Sequence, residues 1–345
     1  MVNKHKERDS LAMRSVPFVL PLLVSLVLFG IYMTCTLVSL DDGPLNIPPE
    51  KRLPKLNMFE RVTEHMSHER DFRLVFIGDV HGQYDDLQRF IDEELGGLDE
   101  ETTIVLLGDM VNKGPDSDKV VSFILNNKRN VRCIMGNHDL AVLFAYMNPK
   151  LNRRPLRKIR KQLRPLEVDS QAGFFYPDDV TKVKEAHTVL AENLGFEALR
   201  DLALHCPVAM ELKLPDDESL FTVHAGMMPG DFIDNIPTAG AVTETKYINP
   251  KDWSDYSKEK DRRHKSRWYT FWKKDKLQEK YDHITVLYGH DANKGLNLHA
   301  HTKGMDSGCV KGGALSGFVY QYHHKKNKLT HYLLQTNCDG YFPQL

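Results

Sequence analysis

The sequence predicts an α/β fold, and three observations predict it. Leu74-Val75-Phe76-Ile77, Thr103-Ile104-Val105-Leu106-Leu107 and Val131-Arg132-Cys133-Ile134-Met135 are β-branched or apolar runs of strand length. Between them, Leu87, Phe90 and Ile91 within residues 84–95 recur at helical spacing. So do Val120, Val121, Ile124 and Leu125 within residues 116–126, as βαβ crossovers require. Each run also ends on a glycine that permits a tight exit, followed by polar side chains: Gly78-Asp79-Val80-His81-Gly82, Gly108-Asp109 and Gly136-Asn137-His138-Asp139. Those side chains emerge from neighbouring strand ends at one sheet edge, where α/β proteins hold their ligands.

The later elements continue the alternation. Tyr176-Pro177-Asp178-Asp179-Val180 opens a helical region that runs to about residue 204. Residues 209–214, 220–224, 284–288, 317–322 and 328–334 are strand-like, and two of these runs lead into His224 and His290. At 345 residues and 41% apolar content the chain could form one large domain or two small ones. The polar boxes span too much of it for two.

The residue types point to a dinuclear metal site. Two divalent cations about 3.5–4 Å apart need a bridging carboxylate and further ligands that leave a face open. Asp109 is the natural bridge. Asp79 and His81 complete one metal; Asn137, through its amide oxygen, His224 and His290 complete the other. A hydroxide shared by the pair, its pKa lowered towards neutrality, would attack phosphorus. His138 follows a ligand and is not needed as one, so it is the candidate to protonate the leaving oxygen. This donor set suits zinc, manganese, cobalt or iron.

The ordered boxes resemble the phosphoprotein-phosphatase (calcineurin-like) metallophosphatase superfamily over residues 73–334. One departure narrows the resemblance. In Gly108-Asp109-Met110-Val111-Asn112-Lys113-Gly114-Pro115, Asn112 and Lys113 stand where protein phosphatases carry Asp and Arg. With Tyr288-Gly289-His290-Asp291-Ala292 and Asp306-Ser307-Gly308-Cys309-Val310-Lys311-Gly312-Gly313, this is similar to the ApaH-like branch. That branch is related to bacterial diadenosine tetraphosphate hydrolases and includes the fungal vacuolar endopolyphosphatases. The resemblance implies a β-sandwich of two mixed sheets flanked by helices, two divalent metal ions with zinc foremost, and inorganic polyphosphate as substrate. A lysine at 113 replaces a bidentate fork with a point charge, which suits successive phosphates. Asn112 leaves His138 without its usual carboxylate partner, and Asp139 is a candidate substitute.

Three other readings stand beside this one. A symmetrical dinucleoside tetraphosphate or cap hydrolase would need a base pocket, which Trp268 or Tyr269 could supply. A Ser/Thr protein phosphatase is disfavoured by Lys113. A non-catalytic polyanion-binding tether would have lost ligands, and none of the six is missing.

Residues 16–40 form a stretch of 25 without a charge, long enough for a helix to cross about 30 Å of hydrocarbon. Lys4, Lys6, Arg8 and Arg14 precede it, whereas Asp41 and Asp42 follow. The positive-inside bias makes this a single-pass type II signal anchor, and a cleaved signal peptide is its rival. The expected layout is a cytosolic tail at 1–15, an anchor at 16–40, a linker at 41–68 marked by Pro44, Pro48, Pro49 and Pro54, and a catalytic domain at 69–345. The resemblance and the topology together imply the vacuole membrane, with the catalytic domain in the lumen.

The net charge of −1 excludes no partner class, but its distribution is informative. Residues 150–164 hold eight basic side chains and no acid. Arg153, Arg154, Arg157 and Lys158 would stand outward on a helix there and guide a polyanion to Lys113 and Asn137; a solvated face or a membrane patch would look alike. No specific nucleic acid is expected. Trp268, Phe271 and Trp272, within a basic but acid-diluted stretch, read as packed core. His187, His205 and His283 read as structural, and His299 and His301 are weak candidates to line the site. Cys133, Cys206, Cys309 and Cys338 permit up to two disulfides, although no motif demands them.

Overall fold

Why the two halves of the chain meet at one place follows from their strand order. The computed structural model describes residues 24–29, 49–62, 69–147, 183–215, 217–258, 265–273 and 277–342. The chain divides into two units, Met1–Ile47 and Pro48–Leu345. Of the first, residues 24–29 are helical, with Val24, Leu26, Val27, Leu28 and Phe29 exposed. Among the described residues no helix is long and apolar enough to cross a membrane. Most of 16–40, and all of the basic segment with Arg153, Arg154, Arg157 and Lys158, lie outside the described residues.

In the second unit, one sheet is built from β2 (Phe72–Ile77), β3 (Thr102–Leu106), β4 (Val131–Cys133), β13 (Ala314–His323) and β14 (Lys328–Asn337). Its order is β14-β13-β2-β3-β4, with β2, β3 and β4 parallel and the β13–β14 hairpin antiparallel to them. Helices α1 (Tyr84–Arg89) and α2 (Ser117–Asn126) make the crossovers that parallel strands need. The helical spacing read over 84–95 ends as a π turn, Phe90–Glu94. Phe90 packs over Gly317 of β13, where a Cβ would strike its ring.

The second sheet holds β1 (Glu60–Val62), β5 (Ala209–Lys213), β6 (Ser219–Val223), β10 (Ile284–Tyr288), β11 (Asn297–Leu298) and β12 (Thr302–Gly304). Its order is β1-β5-β6-β10-β12-β11, and β6, β10 and β12 run parallel. The period of two in a strand explains how the sheets stack. Phe72, Leu74 and Phe76 of β2 and Phe318, Tyr320 and Tyr322 of β13 join Met210, Leu212, Leu220 and Leu287 of the second sheet in one buried cluster. Val75 and Ile77, on the opposite face of β2, are equally buried, so that strand is covered on both sides. Each such side chain contributes about 1.5–3 kcal/mol of burial. The two mixed sheets therefore face each other across an apolar core, with helices outside.

The remaining pieces hold the edges. Helix α3 (Asn137–Met147) packs against the long α4 (Glu185–His205). A short α5 (Ala239–Glu244) precedes a three-stranded sheet of β7 (Tyr247–Asn249), β8 (Asp252–Ser257) and β9 (Ser266–Arg267). Two disulfides are formed. Cys133–Cys206 ties the end of β4 to the end of α4, and Cys309–Cys338 ties the turn after β12 to the end of β14.

Candidate metal centre

Asp79, Asp109 and Asn137 follow the carboxyl ends of β2, β3 and β4, and His224, His290 and Asp306 follow those of β6, β10 and β12. Both sheets thus deliver polar side chains from three parallel strands, and the two sets meet where the sheet edges adjoin. The approach is close. A Cβ on Gly136 would overlap the backbone and carboxylate of Asp109, and one on Gly108 would overlap Gly136 and the His224 ring. Of these two glycines only Gly108 has a positive φ, 85°. The expected tight exit therefore applies to Gly108, whereas Gly136 is needed for proximity. His81, Asp109, Asn112, Lys113 and His290 all hold left-handed backbone conformations that side chains disfavour. Such strain clusters where surrounding structure fixes a site.

Five of the six sequence-predicted ligands come together as two groups that share Asp109: Asp79, His81 and Asp109, then Asp109, His224 and His290. The sixth, Asn137, meets the second group through its side-chain oxygen. In the first, His81 Nδ1 lies 3.2 Å from Val111 O, so it carries the proton and donates, leaving the Nε2 lone pair inward. That atom is 3.4 Å from Asp109 Oδ2 and 3.6 Å from Asp79 Oδ2. Tetrahedral coordination with bonds of about 2.0–2.2 Å spaces neighbouring donors about 3.3–3.6 Å apart. Burial lowers the His81 pKa to about 4, keeping the ring neutral as a ligand must be.

In the second group, His224 Nδ1 lies 2.8 Å from Leu107 O and donates to it. Its Nε2 then faces Asn137 Oδ1 at 3.1 Å and Asp109 Oδ1 at 3.4 Å, while His290 Nδ1 faces the same amide oxygen at 3.0 Å. Two lone pairs do not approach so closely without a proton or a cation between them. Without a metal, a proton fills that place. Burial opposes charging the His224 ring, but the Asp109 carboxylate outweighs it and raises the pKa to about 9. His290 Nε2 is buried with no hydrogen-bond partner among the described residues.

The charge balance agrees with a cationic occupant. Asp79 and Asp306 are both pushed upward by burial, and Asp79 is raised further by Asp306 beside it. Asp306 is a site residue that the sequence reading quoted only within a longer motif. The Lys113 ammonium lies 2.6 Å from His81 Nε2, so a cation already stands against that lone pair. The donor types, their spacing, the acceptor–acceptor contact and the surplus of acid all fit two divalent cations.

His138 stands beside these groups, its backbone N–H donating to Asp109 Oδ1 at 2.8 Å. Its orienting partner is not Asp139. Asp139 Oδ1 accepts from Met110 N and Val111 N at 3.1 and 3.2 Å, and Oδ2 accepts from Gly136 N at 2.8 Å. That carboxylate pins the loops after β3 and β4, and the His138 ring finds its partners elsewhere. Instead, the Asn112 side-chain amide is 2.8 Å from His138 Nδ1, and His187 Nε2 is 3.0 Å from both. His187, read from sequence as structural, is fully buried in the first turn of α4. Its Nδ1 accepts the Lys184 N–H at 2.9 Å, so its Nε2 carries the proton and donates into the junction. Burial keeps His138 and His187 well below the usual imidazole range.

Above the centre opens a cleft of about 220 Å³ lined by the ligands other than His224, and by His138, Lys113, Lys246, Asn293 and the 308–311 turn. Trp268 and Trp272 are 2% exposed, and Trp272 Nε1 donates to Met227 O at 2.6 Å, as packed core. Tyr269 stacks on His299, and His301 bonds Ile284 O, so neither histidine joins the ligands.

The comparisons with known proteins agree with this geometry. The calcineurin-like phosphoesterase family model matches residues 72–306. A zinc-dependent endopolyphosphatase of Saccharomyces cerevisiae is 43% identical over 303 residues, covering 86% of this chain and 90% of the relative. A symmetrical bis(5'-nucleosyl)-tetraphosphatase of Edwardsiella ictaluri is 26% identical, covering 72% of this chain and 93% of the relative. A crystal structure of a proposed diadenosine tetraphosphatase shares the fold at a TM-score of 0.54 and 21% identity, covering 81% of this chain and 98% of that one. With the family model covering the stretch from β2 to Asp306, and with it every ligand above, the chain belongs to the calcineurin-like phosphoesterase family.

Proposed function

We propose that this chain is a zinc-dependent endopolyphosphatase, hydrolysing internal phosphoanhydride bonds of inorganic polyphosphate. The observation that carries the reading is Asp109 shared between two donor groups under a cleft edged by Lys113, Lys246 and Lys311. The S. cerevisiae relative of that activity supports it. In this reading Asp79, His81 and Asp109 hold one cation, and Asp109, Asn137, His224 and His290 hold the other. When bound, the two cations supply Lewis-acid polarisation of phosphoryl oxygens and an acidified water near neutral pH. Zinc suits the nitrogen and oxygen donors, as do cobalt, manganese and iron.

The chain's own residues do the rest. Lys113 binds a phosphate of the substrate as a point charge. Water adds to one phosphorus, the P–O–P bond opens, and the departing phosphate oxygen takes a proton from His138, whose ring the anionic substrate favours in its charged form. Asn112 and His187 hold the His138 ring in place for that transfer. A dinucleotide substrate would need a stacking surface; Trp268 is buried, and the half-buried Tyr269 is already stacked on His299.

The anchor and the compartment belong to the same proposal. The 25 uncharged residues at 16–40, and the exposed apolar side chains of the helical residues 24–29, support a single-pass type II anchor. Two formed disulfides support a catalytic domain in an oxidising lumen, here the vacuole. The test is parallel incubation of the purified protein with long-chain polyphosphate, diadenosine tetraphosphate, capped RNA and a phosphopeptide, each with zinc, cobalt, manganese or magnesium. Polyphosphate should be cleaved fastest; a dinucleotide or cap cleaved faster would replace this reading.

A further inference from the structure

The cleft is cationic at both ends of the axis that Asp109 bridges. At the His81 end stands Lys113, in contact with that ligand's Nε2. At the His290 end stand two others. Lys246 Nζ donates to Asp291 Oδ1 at 2.9 Å, next to His290, and Lys311 Nζ donates to Asn293 Oδ1 at 3.4 Å. All three lysines line the same cleft as the metal-binding side chains.

Their charge is not cancelled where they stand. Asp291 also pairs with Arg267, so one carboxylate serves two cations. Lys311 is exposed, and its ammonium donates to a neutral amide. Its mounting is rigid. It ends a single turn, Cys309–Lys311, between Gly308 and Gly312, both at φ 77°. The Cys309–Cys338 disulfide holds one side of that turn. Tyr341 N donates to Val310 O at 2.9 Å, and Gly308 N donates to Asp306 Oδ1 at 3.1 Å. Because the base is fixed, only the lysine side chain itself has to be ordered when it meets an anion.

We propose that Lys246 and Lys311 form a second phosphate subsite, opposite Lys113, so that a linear phosphate chain lies across both ends of the bimetallic axis. The proposal rests on the polyphosphate reading above and deepens it. With each subsite taking the phosphate next beyond the two that share the broken bond, a bond inside the chain fills both. A bond at the chain end leaves one subsite empty. Internal cleavage is therefore a consequence of where these lysines stand.

The test uses the full-length protein and its Lys311→Gln and Lys246→Gln variants. KM, kcat and product lengths are measured on long-chain polyphosphate and on tripolyphosphate. Each variant should raise KM for the long chain about tenfold, the size of one lost charge-assisted hydrogen bond. The rise on tripolyphosphate should be several-fold smaller, and orthophosphate should become a larger share of the products. Lys311→Arg, which keeps the charge, should restore most of the lost affinity. Equal effects on both substrates, or none on either, overturn the subsite while leaving the polyphosphate reading intact. A wild type that leaves long-chain polyphosphate uncut overturns both.

Discussion

His138 Nδ1 lies 3.0 Å from His187 Nε2, and the two rings share the Asn112 side-chain amide at 2.8 and 3.0 Å. Where protein phosphatases of similar sequence carry a carboxylate, this chain has a neutral amide and a second imidazole. A carboxylate would stabilise the charged ring; the amide and His187 fix its direction without that bias. His187 itself is set by the Lys184 N–H on its other nitrogen. The ring proposed to hand over the proton is thus held by a residue on α4, far from every candidate ligand in sequence.

Replacing His187 should reveal that role. His187→Ala should lower kcat by about tenfold, part of the about 10²–10⁴-fold expected for His138→Ala. Bound metal should be unchanged in both. The losses should be larger on phenyl phosphate, whose leaving oxygen is strongly basic, than on p-nitrophenyl phosphate, whose leaving group needs little protonation. His187→Gln, which keeps a donor, should recover part of kcat. Equal losses on both substrates, or loss of metal, would assign His187 to packing alone.

The bridging position has a sharper expectation. Asp109→Asn should abolish hydrolysis at every metal concentration, because both donor groups lose their shared carboxylate. Elemental analysis should find fewer than two metals per chain. Near-normal turnover would mean that another residue is the bridge.

Gly136 tests the close approach of the strand ends. Gly136→Ala places a methyl against Asp109, whose backbone cannot retreat from the neighbouring β3. Metal content and turnover should both fall, with little change in secondary structure by circular dichroism. A variant that binds two metals normally would show that the loops separate at small cost.

The disulfides carry a stability expectation. Cys133–Cys206 closes a separation of 73 residues and joins buried elements. The paired Cys133→Ser and Cys206→Ser variant should lose about 2–5 kcal/mol by denaturant unfolding. No loss would mean that the packing of α4 on α3 suffices.

Much of this site was legible because its ligands leave strand ends directly, each marked by a run and, except at His224, by a glycine. The same rule covers Asp79, Asp109, Asn137, His224 and His290. It fails for His187, which meets His138 and Asn112 across 49 and 75 residues and stands in the first turn of a helix. Nothing local distinguishes it from a core histidine. Asp139 misled for the opposite reason: adjacent to His138 in sequence, it spends its oxygens on three backbone N–H groups. β8 was missed because Asp252, Ser254 and Asp255 are poor strand formers, paired there only through β7. The disulfide partners come together through tertiary packing, which spacing alone does not encode.

The most direct measurement is a time course of long-chain polyphosphate digestion by the zinc-loaded protein, resolved by length on a gel. The account predicts that chains of intermediate length accumulate early, while little orthophosphate has been released. Steady release of orthophosphate from chains that shorten one unit at a time would contradict it, as would long chains that persist while diadenosine tetraphosphate disappears.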